Sequence, residues 1–281
     1  MHLRIATCRP MPEPDADEDL LLEALRQRGI RARLAAWNDP REDWDAAVPT
    51  VIRSTWNYIH ALPAFLAWAE RAERAAALWN PLSVVRGNVH KRYLVELAAQ
   101  GIPVVPTSLF ERGSRVDLER HAHERGWRRL ILKPAVGAGS FDTRRFEPGE
   151  MLEAQRHLDR ILQRGDALLQ PYLDSVEEHG ERAIVCIDGE ITHAVRKSPR
   201  FADGVEQVSP ALTVEPEERA VAEAVLARVP SDLTYARVDV ARGPDGQPRL
   251  MELELVEPSL FLRQHPPALA RLVEALARRL G

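Results

Sequence analysis

The sequence predicts an α/β protein whose first third and last third differ in organisation. Over the first ninety residues, apolar strand-like runs alternate with helix-like segments, and this alternation is typical of a small open parallel sheet. The last third is rich in strand-like runs. A chain of 281 residues is long enough for one large or two to three small α/β units.

Periodicity and end signals predict each element in turn. Acidic residues open the first helix and Gly29 follows it, as the capping and dipole rules favour. Helices are predicted at Asp17–Arg28, Pro63–Ala76, Lys91–Ala99, Val116–Arg125, Glu150–Gln163, Pro216–Arg228 and Pro267–Leu280. Strands are predicted at Leu3–Cys8, Arg33–Trp37, Val51–Arg53, Val104–Phe110, Leu130–Pro134, Thr143–Phe146, Ala167–Tyr172, Arg182–Ile187, Ile191–Lys197, Glu206–Ala211, Tyr235–Ala241 and Arg249–Leu255. Asn80-Pro81 is interpreted as the boundary between the alternating N-terminal region and the rest of the chain.

Composition narrows the class of protein. The chain is 45% hydrophobic and 28% charged, as expected for a globular protein with a full core. Its net charge of −4 does not indicate the basic surface that nucleic-acid binding requires, so nucleic acid is not expected as a partner. Neither a signal peptide nor a membrane span is predicted. Cys8 and Cys186 lie in apolar runs and are interpreted as buried free thiols, so we expect a cytoplasmic location.

Lysine is rare, and one of its positions points to phosphate. Only three of the 38 basic residues are lysines, so a retained lysine indicates a need that arginine's wide fork cannot meet. Lys133 lies in Leu130-Ile-Leu-Lys-Pro-Ala-Val-Gly-Ala-Gly-Ser140, a buried strand followed by a glycine-rich loop. Backbone amides beside an ammonium are suited to phosphate. Lys197 follows another basic residue and is interpreted as a surface cation.

A hairpin with three acidic side chains is the second informative feature. Strand-like runs flank Asp245-Gly246, a strong hairpin signal. If these two residues form the turn, the numbers of two residues that face each other across the hairpin add up to 491. Residues two apart on one strand share a face of the sheet. Asp239 then faces Glu252, and Arg237 faces Glu254. Clustered carboxylates favour a bound Mg²⁺ completed by substrate phosphates; the alternative is a solvated polar sheet face.

These pieces, in this order, resemble the ATP-grasp superfamily of carboxylate–amine ligases. The likeness is strongest to the ATP-binding domain of bacterial glutathione synthetase and to D-cycloserine-forming ligases, and it covers roughly residues 80–281. It implies an ATP-grasp fold: an N-terminal open α/β domain and two α+β subdomains that grip ATP between them. We expect these units at residues 1–89, 90–172 (the lid subdomain with the glycine loop) and 173–281 (the large subdomain with the metal ligands).

The resemblance also implies a role for individual residues. Lys91 and Lys133 match the nucleotide lysines, and Glu181 matches the ribose acid, with Glu177 and Glu178 as alternatives. The closing loop matches Gly137, Ala138, Gly139 and Ser140, and the adenine-binding hinge matches Gln170, Pro171, Tyr172 and Leu173. The Mg²⁺ ligands match Asp239, Glu252 and Glu254, of which the last is often asparagine in the family. Catalytic roles fall to Arg237, Arg196 and Lys133, and substrate contact to Ser259.

Arg53 is a candidate from its position alone. It follows a predicted strand of the N-terminal sheet, and in open α/β sheets ligands lie beyond the carboxyl ends of strands. Arg53, with Ser54 and Thr55, is therefore expected to grip a substrate carboxylate; the alternative is that Ser54 or Thr55 caps the next helix. Arg196 has a similar alternative, that of a solvated edge residue.

The implied activity is an ATP-dependent ligation that forms an amide through an acyl phosphate. ATP and Mg²⁺ are the implied cofactors, and the partners are a small amino-acid-like carboxylate and an amine, with ADP and phosphate released. Relatives are commonly dimers, so a homodimer is a candidate assembly. The alternatives are a phosphotransferase on the same scaffold and a nucleotide-binding module without chemistry.

Overall fold

The N-terminal third forms a parallel sheet, as predicted. The computed structural model describes residues 1–198, 207–230 and 232–281. Four parallel strands lie in the order β2-β1-β3-β4. The strands are β1 (His2–Thr7), β2 (Arg31–Ala36), β3 (Thr50–Ser54) and β4 (Leu78–Trp79). The helices of this region are α1 (Glu18–Gln27), α2 (Leu62–Ala75) and α3 (Leu82–Asn88), with a 3-10 turn at Trp56–His60.

The middle of the chain forms an antiparallel sheet in the order β5-β8-β6-β7. Its strands are β5 (Ser108–Phe110), β6 (Leu130–Pro134), β7 (Arg144–Phe146) and β8 (Ala167–Pro171). Helices α5 (Leu118–Glu124) and α6 (Met151–Arg164) bury their apolar faces against this sheet. The preceding helix α4 (Tyr93–Ala99) packs instead against the third sheet.

The third sheet is antiparallel, with the order β10-β9-β11-β12. Its strands are β9 (Glu181–Ile187), β10 (Glu190–Lys197), β11 (Tyr235–Arg242) and β12 (Pro248–Glu254), and its helices are α7 (Ser175–Glu178), α8 (Pro216–Leu226) and α9 (Pro266–Leu280). One face packs with α4 and α8, and the other packs with α9, α1 and the N-terminal sheet. The third sheet is thus covered on both faces.

Three departures from the predicted elements have local causes. The strand expected at Val104–Phe110 is shortened to β5, because Val104 instead bridges Leu250 of the third sheet. Of the strand expected at Glu206–Ala211, Glu206 lies outside the described residues, and Val208 makes an isolated bridge to Lys197. The short elements α3, β4 and α7 were not predicted.

Asn80, at the predicted boundary, joins the N-terminal and third sheets. Its side chain is completely buried, and its Nδ2 donates to the carbonyl oxygens of Tyr235 at 2.9 Å and Leu255 at 2.8 Å. Its Oδ1 accepts from the Thr234 N–H at 2.8 Å. The boundary is therefore packed and hydrogen-bonded, and its side chain satisfies three backbone groups that burial would otherwise leave without partners.

Both cysteines are buried free thiols, as predicted. In the part of the chain that the structure describes, no helix combines the length and apolar character that a membrane crossing requires.

Candidate active site

A cavity of about 420 Å³ lies where the three sheets meet. All three layers contribute to its wall: Tyr58 from the N-terminal region, Lys133 from the middle sheet, and Arg237 from the third sheet. The volume is within the usual range for small-molecule sites. Lys91, the loop residues 137–140, the hinge residues 170–173, Glu181, Glu252, Glu254 and Ser259 also line it.

The carboxylate hairpin has the predicted pairing. Asp239 faces Glu252, and Arg237 faces Glu254, across β11 and β12. The Arg237 guanidinium bonds both Asp239 oxygens at 2.8 Å and Glu254 at 2.5 Å. Side chains two apart on each strand therefore share one face, as the alternation of a β-strand requires.

The turn of that hairpin differs from the prediction. Gly243 and Gln247 close a three-residue loop, because the Gly243 N–H donates to Gln247 and the Gly246 N–H to Gly243. Gly246 supplies the left-handed conformation that the loop needs, with φ of 76°. A bulge between Asp239 and Val240 then restores the predicted pairing. Met251, the extra residue at this bulge, lines the cavity wall.

All three lysines of the protein line this cavity. The Lys133 ammonium lies 2.7 Å from Glu252 and links the middle sheet to the third. The Lys91 ammonium lies 3.7 Å from Glu252 and donates to the Gly137 carbonyl at 2.9 Å. Burial opposes ionisation of Glu252, but the two ammonium groups outweigh it and lower its pKa to about 2. A lysine-bound carboxylate is thus placed beside the glycine loop.

Lys197 is the residue that sequence reasoning missed. It is buried, lies 2.8 Å from Asp239 and forms a close ion pair with Glu181. Arg196 precedes it on β10 and therefore points to the opposite face, where it is exposed and donates to the Glu178 carbonyl. The interpretation of Lys197 as a surface cation is wrong. The rarity of lysine, applied to all three positions, was the signal that could have found it.

Arg196, predicted to be catalytic, therefore lies outside the cavity. Its side chain covers Gly180, where an added Cβ would lie 2.6 Å from the Arg196 Cγ. Gly180 also has φ of 72°, so glycine is required there for both reasons. The alternative interpretation of Arg196, a solvated residue, agrees with this placement.

The glycine loop is formed by tight turns. Phe141 N–H donates to Ala138 at 3.0 Å, and Thr143 N–H donates to Ser140 at 3.0 Å. Gly139 and Ser140 adopt left-handed conformations, with φ of 57° and 61°. These turns hold the loop at the cavity wall, next to the two lysines.

The predicted hinge forms an apolar slot at one part of the cavity. Residues 170–173 line it together with the apolar side chains of Val105, Ile131, Val176 and Met251. Gln170 is buried, and its side-chain amide Nε2 donates to the Thr107 hydroxyl at 2.8 Å. Leu173 follows the end of β8, and its N–H has no backbone acceptor among the described residues. The slot combines apolar walls with a free backbone donor, which suits a planar heterocycle.

Of the three acids considered for the ribose, Glu181 lines the cavity. Glu177 instead accepts from Arg145 at 2.8 Å and from the Tyr172 hydroxyl at 2.9 Å, away from the cavity wall. Glu178 is exposed. Burial raises the pKa of Glu181, and Lys197 opposes that shift.

The Arg53 group does not reach the cavity. Arg53 is 1% exposed and donates to the Pro258 carbonyl at 2.8 Å. Ser54 bonds Thr7 at 2.9 Å, and Thr55 is fully buried. The expectation that these three residues grip a substrate carboxylate is wrong in this structure, because the strand end that carries them is covered by residues 257–259. Ser259 does line the cavity.

Glu257 is a second residue that sequence reasoning missed. It lies in the cavity wall and is 9% exposed, and its carboxyl bonds the Tyr58 hydroxyl. Burial, reinforced by the charge of Glu254, raises the pKa of Glu257 to about 8. Its position three residues beyond Glu254 was the available signal, since the chain leaving β12 has to pass along the same wall.

The carboxylates of the hairpin suit Mg²⁺ only if phosphate oxygens of a bound substrate supply further ligands. Among residues 1–198, 207–230 and 232–281, no group of three acidic, histidine or cysteine side chains is arranged to hold a metal ion. Asp239 is fully buried and bonded to Arg237 and Lys197, whereas Glu252 and Glu254 face the cavity. Mg²⁺ is commonly held by one or two carboxylates plus substrate phosphates, so these two residues fit it.

Fold and site together define an ATP-grasp ligase, and comparisons with known proteins place it within that class. The chain is 36% identical to the cycloserine biosynthesis protein DcsG of Streptomyces lavendulae, over 95% of this chain and 94% of that protein. It therefore belongs to the DcsG family. Residues 3–80 match the family model for the N-terminal domain of D-cycloserine synthetase DcsG.

Solved structures give the same result. The crystal structure of D-cycloserine synthetase DcsG superposes with a TM-score of 0.92 at 35% identity, covering 100% of both chains. The ATP-grasp ligase PsnB, solved with a precursor, Mg and ADP, has a TM-score of 0.64 at 20% identity, covering 99% of this chain and 98% of PsnB. The D-alanine–D-alanine ligase of Bacillus anthracis, solved with ATP, shares the fold with a TM-score of 0.68 at 13% identity, over 99% of this chain and 96% of that one. The protein is an ATP-dependent ligase.

Proposed function

We propose that this ligase closes a ring within one amino-acid-like molecule, joining its carboxyl carbon to a nitrogen that the same molecule carries. The observation that carries the proposal is the convergence of three lysines, Arg237 and five glutamates on one cavity. The relative DcsG is named a D-cycloserine synthetase. Cycloserine is a cyclic hydroxamate, so a ligase can form it by making one C–N bond.

The nucleotide is proposed to lie between the middle and third sheets. Its adenine occupies the apolar slot and accepts a hydrogen bond from the Leu173 N–H, and Glu181 holds the ribose. Lys91 and Lys133 lie at the phosphates beside loop residues 137–140. Both ammonium groups already bind a carboxylate, Glu252, which shows that they reach the same small region.

Mg²⁺ is proposed to bind Glu252 and Glu254, with phosphate oxygens completing its ligands. When bound, the ion neutralises charge on the phosphates. Asp239 is a positioning residue in this proposal, because it holds Arg237 and Lys197 at 2.8 Å and is not itself exposed to the cavity.

The reaction then proceeds in two steps. A substrate carboxylate oxygen attacks the γ-phosphorus of ATP, the bond to the bridging oxygen breaks, and ADP leaves with an acyl phosphate formed. The nitrogen of the same molecule attacks the acyl carbon, loses a proton and expels phosphate. Arg237 and Lys197 are placed to stabilise the negative charge that develops in both steps. The glycine loop excludes the water that would hydrolyse the acyl phosphate.

Substitution of the phosphate and hairpin residues tests this proposal. Lys133→Ala and Asp239→Asn are each expected to abolish substrate-dependent ADP formation, measured by a coupled assay. Turnover near that of the unchanged protein in either variant would contradict the assignment of this cavity as the active site.

We also propose a cellular location and an assembly. A cytoplasmic location agrees with the free thiols Cys8 and Cys186. The protein is proposed to form a homodimer, as expected from the resemblance to its relatives. Analytical sedimentation of the purified protein measures its oligomeric state.

A further inference from the structure

One part of the cavity wall lies outside the residues that we assign to the nucleotide. It is formed by Trp56, Tyr58, Glu257 and Ser259, which come from the 3-10 turn after β3 and from the segment that follows β12. Arg237 lines the cavity beside it and donates to the Ser259 carbonyl at 3.2 Å. This wall therefore adjoins the group proposed to stabilise the reacting carbonyl.

The backbone that carries Glu257 is held from both sides. The Trp56 indole N–H donates to the Glu257 carbonyl at 3.0 Å. The buried Arg53 guanidinium donates to the next carbonyl, that of Pro258, at 2.8 Å. The Tyr58 hydroxyl bonds the Glu257 carboxyl, and the Tyr58 ring stacks on Phe65 at 4.8 Å between ring centres. The carboxyl is thus fixed in place at the cavity wall.

Glu257 differs from its acidic neighbours in its charge environment. Glu181, Glu252 and Glu254 each form an ion pair with a lysine or arginine. In the described part of the chain, Glu257 has no ion pair within 4.0 Å. Lys91 and Arg237 act on Glu257 from beyond ion-pair distance and lower its pKa, but burial outweighs them and raises the pKa to about 8. A buried carboxylate without an adjacent cation is costly. A ligand that brings a positive charge would remove this cost.

We propose that Glu257, oriented by Tyr58, binds the ammonium group of the amino-acid substrate and thereby selects α-amino acids over acids that lack the amine. The proposal rests on the ligase function proposed above. The aromatic rings of Trp56 and Tyr58 also favour a cation at this wall. The ammonium and the carboxyl carbon of an α-amino acid are two bonds apart, so an ammonium at Glu257 keeps the carboxylate next to Arg237.

A matched pair of ligands tests the proposal without requiring turnover. The probes are D-cycloserine and isoxazolidin-3-one, the same ring without the amino group, titrated calorimetrically into the protein with ADP and Mg²⁺. The unchanged protein is expected to bind D-cycloserine about 100-fold more tightly, because removal of the amine leaves the buried carboxyl without its partner. Glu257→Gln is expected to bind the two rings within about 3-fold of each other.

Two further variants separate binding from folding. Tyr58→Phe keeps the ring and removes the hydroxyl, so it is expected to reduce the preference for the amine without removing it. Glu218→Gln alters a buried carboxyl on α8, outside the cavity, and is expected to keep the full preference. ADP affinity, measured in the same cell, reports whether each variant has kept its fold.

The outcomes are distinct. Loss of the preference in Glu257→Gln, with ADP affinity unchanged, supports the ammonium site. Equal binding of the two rings by the unchanged protein, binding of neither ring, or a preference that survives in Glu257→Gln overturns it. Failure of the ligase proposal is seen separately, as absence of substrate-dependent ADP formation while the preference for the amine persists.

Discussion

At the scale of single residues, lysine marks the active site of this protein. Arginine supplies 35 of the 38 basic side chains, and each of the three lysines lines one cavity. An ammonium is compact and can sit beside a carboxylate and a phosphate together, whereas a guanidinium needs a broader site. Sequence reasoning found Lys133 by this argument and Lys91 from the family resemblance, but it did not extend the argument to Lys197, whose neighbour Arg196 suggested a surface.

Adjacent residues on β10 give a test with an internal control. Lys197→Ala is expected to lower kcat/KM about 100-fold, because it removes a cavity-lining charge that we propose stabilises the transferred phosphoryl group. Arg196→Ala, one residue away on the opposite face, is expected to retain at least about a third of kcat/KM, as surface changes commonly do. Steady-state ADP release measures both. Equal losses of kcat/KM in the two variants would contradict the proposal that only the cavity-facing side of β10 contributes to activity.

The compact shape of the lysine ammonium also matters at Lys133. Lys133→Arg keeps the positive charge but is expected to lose at least about 100-fold in kcat/KM, since the guanidinium does not fit between Glu252 and the nucleotide. ATP-dependent ADP release is the measurement, and Arg128→Lys, at an exposed position just before β6, is the control. A fully active Lys133→Arg would remove the explanation offered for the rarity of lysine.

At the scale of elements, alternation predicted which side chains meet, but not how the chain makes them meet. Arg237, Asp239, Glu252 and Glu254 share a face as expected. The predicted two-residue turn was wrong, and a bulge compensates for the longer loop. Bulges depend on packing across the sheet, which the local sequence does not reveal. Likewise, the burial of Arg53 depends on a segment some 200 residues later, which strand-end reasoning could not include.

The Asn80 side chain joins two parts of the fold, so its removal is expected to lower the stability of the protein. Asn80→Ala leaves two buried carbonyl groups and one buried N–H without partners, so it is expected to lower the free energy of unfolding by about 2–4 kcal/mol. Denaturant unfolding followed by circular dichroism measures the change. Gln100→Ala, at an exposed position after α4, is expected to stay within about 0.5 kcal/mol. Comparable losses in the two variants would contradict the role given to Asn80.

At the scale of the whole molecule, buried histidines predict how stability depends on pH. His193 is buried and stacks on His265 at 4.7 Å between ring centres. Burial, followed by the neighbouring imidazole, lowers the pKa of His193 to about 4. Below the unfolded value of about 6.5 the unfolded chain takes up a proton that the folded chain excludes, so stability falls as the pH drops.

The expected contribution of His193 is up to about 2 kcal/mol between pH 7 and pH 5. His193→Phe keeps an aromatic ring in the stack and removes the titration, so its unfolding free energy is expected to fall less steeply over this range. Denaturant unfolding at several pH values provides the comparison. An unchanged slope would show that folding does not lower the pKa of His193.

In the whole molecule, three sheets meet at the cavity where we propose that a carboxylate is activated and a ring is closed. The most direct measurement combines ATP, Mg²⁺ and open-chain serine derivatives whose side-chain oxygen carries a nitrogen, and follows ADP and product mass together. We predict ADP formed in equal amount to a product with the mass of cycloserine. ADP with a phosphorylated, uncyclised acid, or no ADP from any such compound while ATP still binds, would contradict the account.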